Sequence, residues 1–371
     1  MSTTIGTGFG LLPTLIANSV SVHQQLDTLT QQASSGLVAQ TYAGLGSGAG
    51  LALDLNPQIA ALQTAQTNIG QATGSMQVTQ TAMTQIQQVA ANFVAAIPNL
   101  NGLDASEVDS VAAQANAALR QIADLLNSTD DGNYVFSGQD TSNPPVPSGD
   151  SILSSGFYSQ INAAVSSLSA NGAAATASTI LSVASSNAAG TSPFSTYLSQ
   201  PPPGQAGSTI SPQIVQTGEG GTVQTGLLAS ANSVAVSPGT TSTPPTSTGS
   251  YMRDLMMSLA TLGSLSSSQI NDPNFASLVQ GVGTTLNGVV NTMAVDVGVL
   301  GNTQANLTNI QSQLADTSTA LSTQLSNVQD VDMASTLSKL TSTQTQLQAS
   351  YRLITGENSM SLLNYLPAAT A

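Results

Sequence analysis

The stretch from Leu55 to Pro98, LNPQIAALQTAQTNIGQATGSMQVTQTAMTQIQQVAANFVAAIP, carries an apolar residue at every seventh position: Leu55, Leu62, Ile69, Met76, Met83, Ala90 and Ile97. Seven residues make almost two helical turns, so the spacing draws one apolar stripe along one continuous helix. Asn56-Pro57 reads as a cap followed by proline at the first helical position, and Pro98 ends the pattern. A second run repeats the design after Asp272-Pro273, with Val279, Leu286, Met293, Leu300, Leu307, Leu314, Leu321 and Val328 in phase. Both runs exceed the usual globular helix, so the fold is predicted to be mainly α, around a long coiled-coil-like helical stem. Polar residues at core positions, Gln66, Asp296 and Gln324, weaken a strict two-stranded zipper and require further cover.

Working outward, Asp104 with Glu107 three residues on predicts a capping box. It opens a helix through Val108, Val111, Ala115, Leu119, Ile122 and Leu126, which ends at a turn over 127–132. The two chain ends also read as amphipathic helices. Leu12, Leu15, Val22, Leu26, Leu29 and Ala33 form one stripe, and Met333, Leu337, Leu340, Leu347, Tyr351 and Ile354 another. Between them the heptad phase slips at Gln329–Asp332, where a helix break or stutter is expected. Terminal stripes this apolar need a partner, either each other or another subunit. The candidate assembly residues are therefore Leu15, Val22, Leu26, Leu29, Leu337, Leu340, Leu347, Tyr351 and Ile354.

The middle of the chain has a different composition. From residue 151 to 252 the only charge is Glu219, and most of the 16 prolines lie between Pro144 and Pro245. The chain accordingly divides into an N-terminal helical stem segment, 1–140, a variable low-charge exposed insert, 141–250, and a C-terminal helical stem segment, 251–371. Within the insert, 157–185 reads as an Ala/Ser-rich helix. Gln213–Gly226 reads as a small β hairpin turning at Gly218–Gly221.

The whole chain narrows the function classes. It has 371 residues with 4 Lys and Arg against 18 Asp and Glu, a formal net charge of -14. No basic face exists to meet nucleic-acid phosphates or an anionic membrane. Seven Tyr, six Phe and no Trp exclude a large aromatic core, and the absence of Cys excludes disulfides and thiol catalysis. His23, the single histidine, allows neither a Ser-His-acid triad nor a multi-His metal site and reads as a helix-surface residue. Gly44–Gly50 lacks the lysine of a phosphate loop and reads as a linker. Asn127, Thr129, Asp131 and Gly132 imitate the start of a calcium loop, but its twelfth position is Gly138 rather than Glu, which favours a plain turn. The Asn-x-Thr triplets at Asn127 and Asn306 read as chance matches. No enzyme, cofactor or metal is expected. The N-terminus lacks a signal peptide's positive and apolar regions, so departure from the cell would use another route.

Two segments resemble a known family. Leu125-Leu-Asn-Ser-Thr-Asp-Asp-Gly-Asn-Tyr-Val-Phe-Ser-Gly138 is similar to the segment preceding the variable domain of bacterial flagellin-like axial proteins, most closely the hook-filament junction members called hook-associated protein 3. Gln344-Thr-Gln-Leu-Gln-Ala-Ser-Tyr351 and Ser361-Leu-Leu-Asn-Tyr-Leu366 resemble the family's closing helix. The resemblance implies a stem formed from both chain ends, ordered on assembly, and export to the extracellular flagellum without signal cleavage. It implies self-assembly into a ring or tube, and contacts with flagellin, hook-associated protein 1 and an export chaperone. The function expected is an adaptor between hook and filament. Flagellin itself is the alternative, followed by a secreted coiled-coil adhesin with a Ser/Thr/Pro-rich binding insert. Gly44–Gly50 departs from the family, which usually carries Ser-Asp-Asp-Pro there, and the scarcity of Arg leaves few salt bridges between subunits.

Overall fold

A computed structural model describes residues 11–100, 104–199, 210–218 and 220–359. In chain order the helices are α1 (Leu11–Ser35), α2 (Ala49–Leu100), α3 (Ala105–Leu126), α4 (Gly149–Ile152), α5 (Gly156–Ser166), α6 (Leu168–Ser185) and α7 (Thr196–Ser199), then α8 (Tyr251–Gly263), α9 (Phe275–Gln329) and α10 (Met333–Ser359). Two antiparallel hairpins join them: β1 (Thr129–Asp130) with β2 (Asn133–Tyr134), and β3 (Ile214–Gly218) with β4 (Gly221–Gln224). The chain divides into two compact units, one of residues 64–314 and one of residues 1–63 with 315–371.

In the 64–314 unit the heptad stripe is the core. Ile69, Met76, Met83, Ala90 and Ile97 of α2 are buried, as are Val279, Leu286, Met293, Leu300 and Leu307 of α9. The Gln304 amide donates to Gln77 Oε1 at 3.0 Å, and the Gln311 amide to the Gln66 carbonyl at 3.3 Å. Partner numbers rise on one helix as they fall on the other, so α2 and α9 run antiparallel here. They come close enough at one end that a Cβ on Gly283 would lie 2.9 Å from Ile97 Cγ2.

The α3 capping box forms as expected, with the Glu107 carboxylate accepting from the Asp104 N–H at 2.8 Å. The turn after α3 is a two-residue hairpin loop with Asp131 at φ 46° and Gly132 at φ 80°. Asp-Gly is the sequence that tolerates two consecutive left-handed residues and matches the twist of paired strands. The β3–β4 hairpin likewise falls where the sequence placed it, although Glu219 lies outside the described residues.

The low-charge insert does not stand apart from the stem segments. Phe157, Ile161, Val165, Leu168, Ile180 and Phe194 share one apolar core with α2, α3, α8 and α9. At its centre is α8, buried along its whole length and packed by α3, α5 and α6. The Asn116 amide and the Tyr158 hydroxyl both donate to the Gly263 carbonyl, at 3.0 and 3.1 Å, closing the end of α8. A helix covered all round must satisfy its terminal carbonyls with side chains, because water cannot reach them.

Three local expectations are corrected. Asn56-Pro57 lies inside α2, which begins at Ala49; the Asn56 amide donates to the Ala52 carbonyl at 2.9 Å instead of capping. Burial of Ala52 and Leu55 carries the helix through the proline, whose cost is one missing backbone bond. Gly44–Gly50 is not a loose linker: Tyr42–Gly48 forms a 3-10 turn, with Gly46 at φ 58°, that leads into α2. The segment 157–185 is two helices, α5 and α6, separated at Ser167.

In the other unit α9 ends at Gln329 and α10 starts at Met333, so the phase slip is a true break. The Asp332 carboxylate accepts from Ala334 and Ser335 N–H at 3.0 and 3.1 Å and caps α10. Across the break the Val331 N–H donates to the Gly36 carbonyl at 2.9 Å, and the Val38 N–H to the Gln329 carbonyl at 2.7 Å. The end of α1 is thus tied to the start of α10, and the two helices pack antiparallel along each other.

Candidate functional site: the paired termini and the pinned insert

Along α1, Leu15, Ser19, Val22, Leu26, Leu29 and Ala33 are buried or half-buried, as is Gln32 beside them. They advance by four and three residues alternately, the seam of a helix that meets one partner. On α10 the corresponding series is Thr336, Leu340, Thr343, Leu347, Ser350 and Ile354. The predicted residues Leu15, Val22, Leu26, Leu29, Leu340, Leu347 and Ile354 are therefore brought together inside the α1–α10 pair. Leu337 and Tyr351 are not; both stay about half exposed, as do Leu353 and Met333. The Leu12 side chain and Ser361–Leu366 lie outside the described residues. Sequence reading by apolar type alone missed Ser19, Thr336 and Thr343, which are buried in the seam. The alternating four-three spacing, applied without regard to polarity, would have found them.

Three charged side chains hold the insert. Asp296, fully buried on α9, accepts from three successive backbone N–H groups, Ser233, Val234 and Ala235, at 2.7, 3.1 and 3.1 Å. The Tyr251 hydroxyl also bonds it, and burial together with the Asp296 charge pushes the Tyr251 pKa well above the usual value. A buried carboxylate with four donors is satisfied without a cation. This is the cover that Asp296 requires; Gln66 is half-buried, and Gln324 is simply exposed.

On α8 the buried Arg253 guanidinium donates to the Ala184 and Ser186 carbonyls at 3.0 and 3.2 Å and to Asn187 Oδ1 at 2.7 Å. It lies 4.9 Å from the centre of the Phe194 ring. Its charge sits where the exposed carbonyls at the end of α6 carry negative potential. The neighbouring Asp254 accepts from Ser247 Oγ at 2.5 Å and Thr248 N–H at 2.8 Å.

Burial raises the Asp254 pKa, opposed by the Ser247 and Thr248 hydrogen bonds and by Arg253. With the folded value above the unfolded one, the folded state binds the proton more tightly between them. This group's contribution to stability is complete below the ordinary carboxylate pKa and is lost as pH rises through the raised one. Denaturant melts at pH 7 and pH 4.5 should show a component of stability gained on acidification that Asp254→Asn lacks. An unchanged pH dependence in the variant would refute it.

His23 is exposed on α1, and no group of three metal-ligating side chains occurs among the described residues. Asn127 pairs both ways with the Val146 backbone, at 3.1 and 3.3 Å, and so ties the end of α3 to the chain leaving the hairpin. No described helix is long and apolar enough to cross a membrane.

Paired terminal helices, a long antiparallel helical core and side chains committed to holding loops define a structural helical subunit built from both chain ends. Residues 14–141 match the bacterial flagellin N-terminal helical region, and residues 283–366 the bacterial flagellin C-terminal helical region. No curated protein matches the chain in sequence. The chain is a flagellin-like axial protein, a structural subunit of the bacterial flagellum, from a family that self-assembles into a polymer.

Proposed function

We propose that this subunit is the adaptor that joins hook to filament. The observation that carries the reading is the Tyr134-Val-Phe-Ser-Gly138 segment, which leaves the Asp131-Gly132 turn at the start of the insert and resembles the junction proteins at that point. In this reading the chain leaves the cell by the flagellar export route and sits between hook-associated protein 1 and flagellin. Leu337, Tyr351, Leu353 and Met333, the apolar side chains that α10 leaves exposed, meet a neighbouring subunit. The rest of the terminal stripe holds α1 and α10 together.

Deleting the gene tests the assignment. An adaptor's loss leaves bare hooks while unpolymerised flagellin accumulates in the medium. Bare hooks with no flagellin released would make the chain the filament subunit. That second reading is favoured by the match of both end regions to flagellin.

A further inference from the structure

Asp296 does more than satisfy a buried charge, because the loop it grips is displayed. With three N–H groups bound to one carboxylate, the segment 233–236 is fixed against α9, yet Val234 and Val236 are 64 % and 79 % exposed. Val295, beside Asp296 on α9, is 51 % exposed. The result is a rigid apolar knob. Preorganisation of this kind removes most of the ordering cost of making a contact.

The same unit carries a groove of about 760 Å³ between α6 and α9, floored by α8. Its walls are small, with Ala174, Ala177 and Ser178 on one side and Gly281 and Thr284 on the other. Ser258 lines it as well; this side chain is buried, and its hydroxyl finds no hydrogen-bond partner among the described residues. A buried hydroxyl left unpaired costs free energy, which marks this wall as imperfectly satisfied within the chain. No charged residue lines the groove.

We propose that the Val234–Val236 knob of one copy seats in the Ser258 groove of the next. Charge selects a second copy as the occupant. Each chain carries a net charge of -14 with 4 Lys and Arg in all, one of which, Arg253, is buried against its own backbone. Copies can offset little of this charge by ion pairs, so close contact is least opposed where both surfaces are uncharged, as these are. Knob and groove are different surfaces, so the contact can repeat from copy to copy without closing on a dimer. The proposal rests on the family's self-assembly and not on the choice between adaptor and filament subunit.

The chain has no native cysteine, so the pair Val236→Cys with Ser178→Cys reports the contact directly. Oxidising flagella isolated from cells that express this variant should give a ladder of cross-linked copies, with none from either single variant. Gly281→Leu should reduce incorporation at least tenfold, because a Cβ there meets open space and only the groove is filled. Val234→Ser with Val236→Ser, which removes the apolar tips without adding charge beside Asp296, should also reduce incorporation, while both variants keep the wild-type circular dichroism and melting temperature. Cross-links that stop at dimers would overturn the head-to-tail arrangement. Wild-type incorporation of both blocking variants would overturn the contact itself.

Discussion

Replacing Asp296 with alanine is expected to release the loop 233–236 and destabilise the 64–314 unit by about 4 kcal/mol. Three backbone N–H groups and the Tyr251 hydroxyl lose their acceptor together. Each buried donor left unpaired costs about 1–3 kcal/mol, and water can reach only those nearest the exposed valines. For a unit of this size the melting temperature should fall by roughly 10 °C. Asp296→Asn should cost about half as much, since one carbonyl oxygen survives while its NH₂ faces donors. Calorimetry on the three proteins checks the order. An alanine variant that melts with wild type would mean that the carboxylate does not hold the insert.

The second large effect is expected at the paired termini. Leu29 and Leu347 are the two leucines buried in the α1–α10 seam. A buried Leu→Ala change costs about 2–5 kcal/mol, so Leu29→Ala with Leu347→Ala removes as much as a small domain's whole stability. Hydrogen exchange should become fast over 11–35 and 333–359 while the 64–314 unit keeps its protection, and incorporation into flagella should be lost. If these side chains meet a neighbour as proposed, the exposed pair Leu337→Ala with Tyr351→Ala should leave exchange unchanged and lower incorporation. Retained protection in the Leu29/Leu347 variant would place the helix pairing elsewhere. Wild-type incorporation of the Leu337/Tyr351 variant would remove those two residues from the assembly surface.

The stem was legible because a heptad repeat depends only on residue type and spacing, both of which survive any arrangement of neighbours. Val279 to Leu307 and Ile69 to Ile97 are buried as the spacing required. Local signals with a steric or hydrogen-bonding cause, such as the Asp131-Gly132 turn and the Asp104–Glu107 box, were equally readable. Start signals were less so: Asn56-Pro57 has the chemistry of a cap, but burial of Ala52 and Leu55 outweighs one lost hydrogen bond. The assembly surface was legible only in part, since a stripe does not announce which of its residues face the partner within the chain and which face outward. Leu340 and Leu337 look alike in sequence and differ by the rotation of one helix. The insert's attachment was hidden further, because Asp296, Arg253 and Asp254 act largely on backbone groups, which carry no sequence signature.

The burial of α8 has a consequence for the speed at which the molecule forms. Asn116 bonds Gly263, and Gln66 bonds Gln311, across separations of 147 and 245 residues. Contacts so distant along the chain must overcome loop-closure entropy before any burial repays it, which places such topologies among the slow folders. A ribosome adding about 5–20 residues per second needs many seconds to pass from one partner to the other. Throughout that interval α2 and α3 lack the later helices that cover them, although Asn116, which closes the end of α8, is already in place. The nascent chain therefore lacks its long-range core until α8 and α9 have been made.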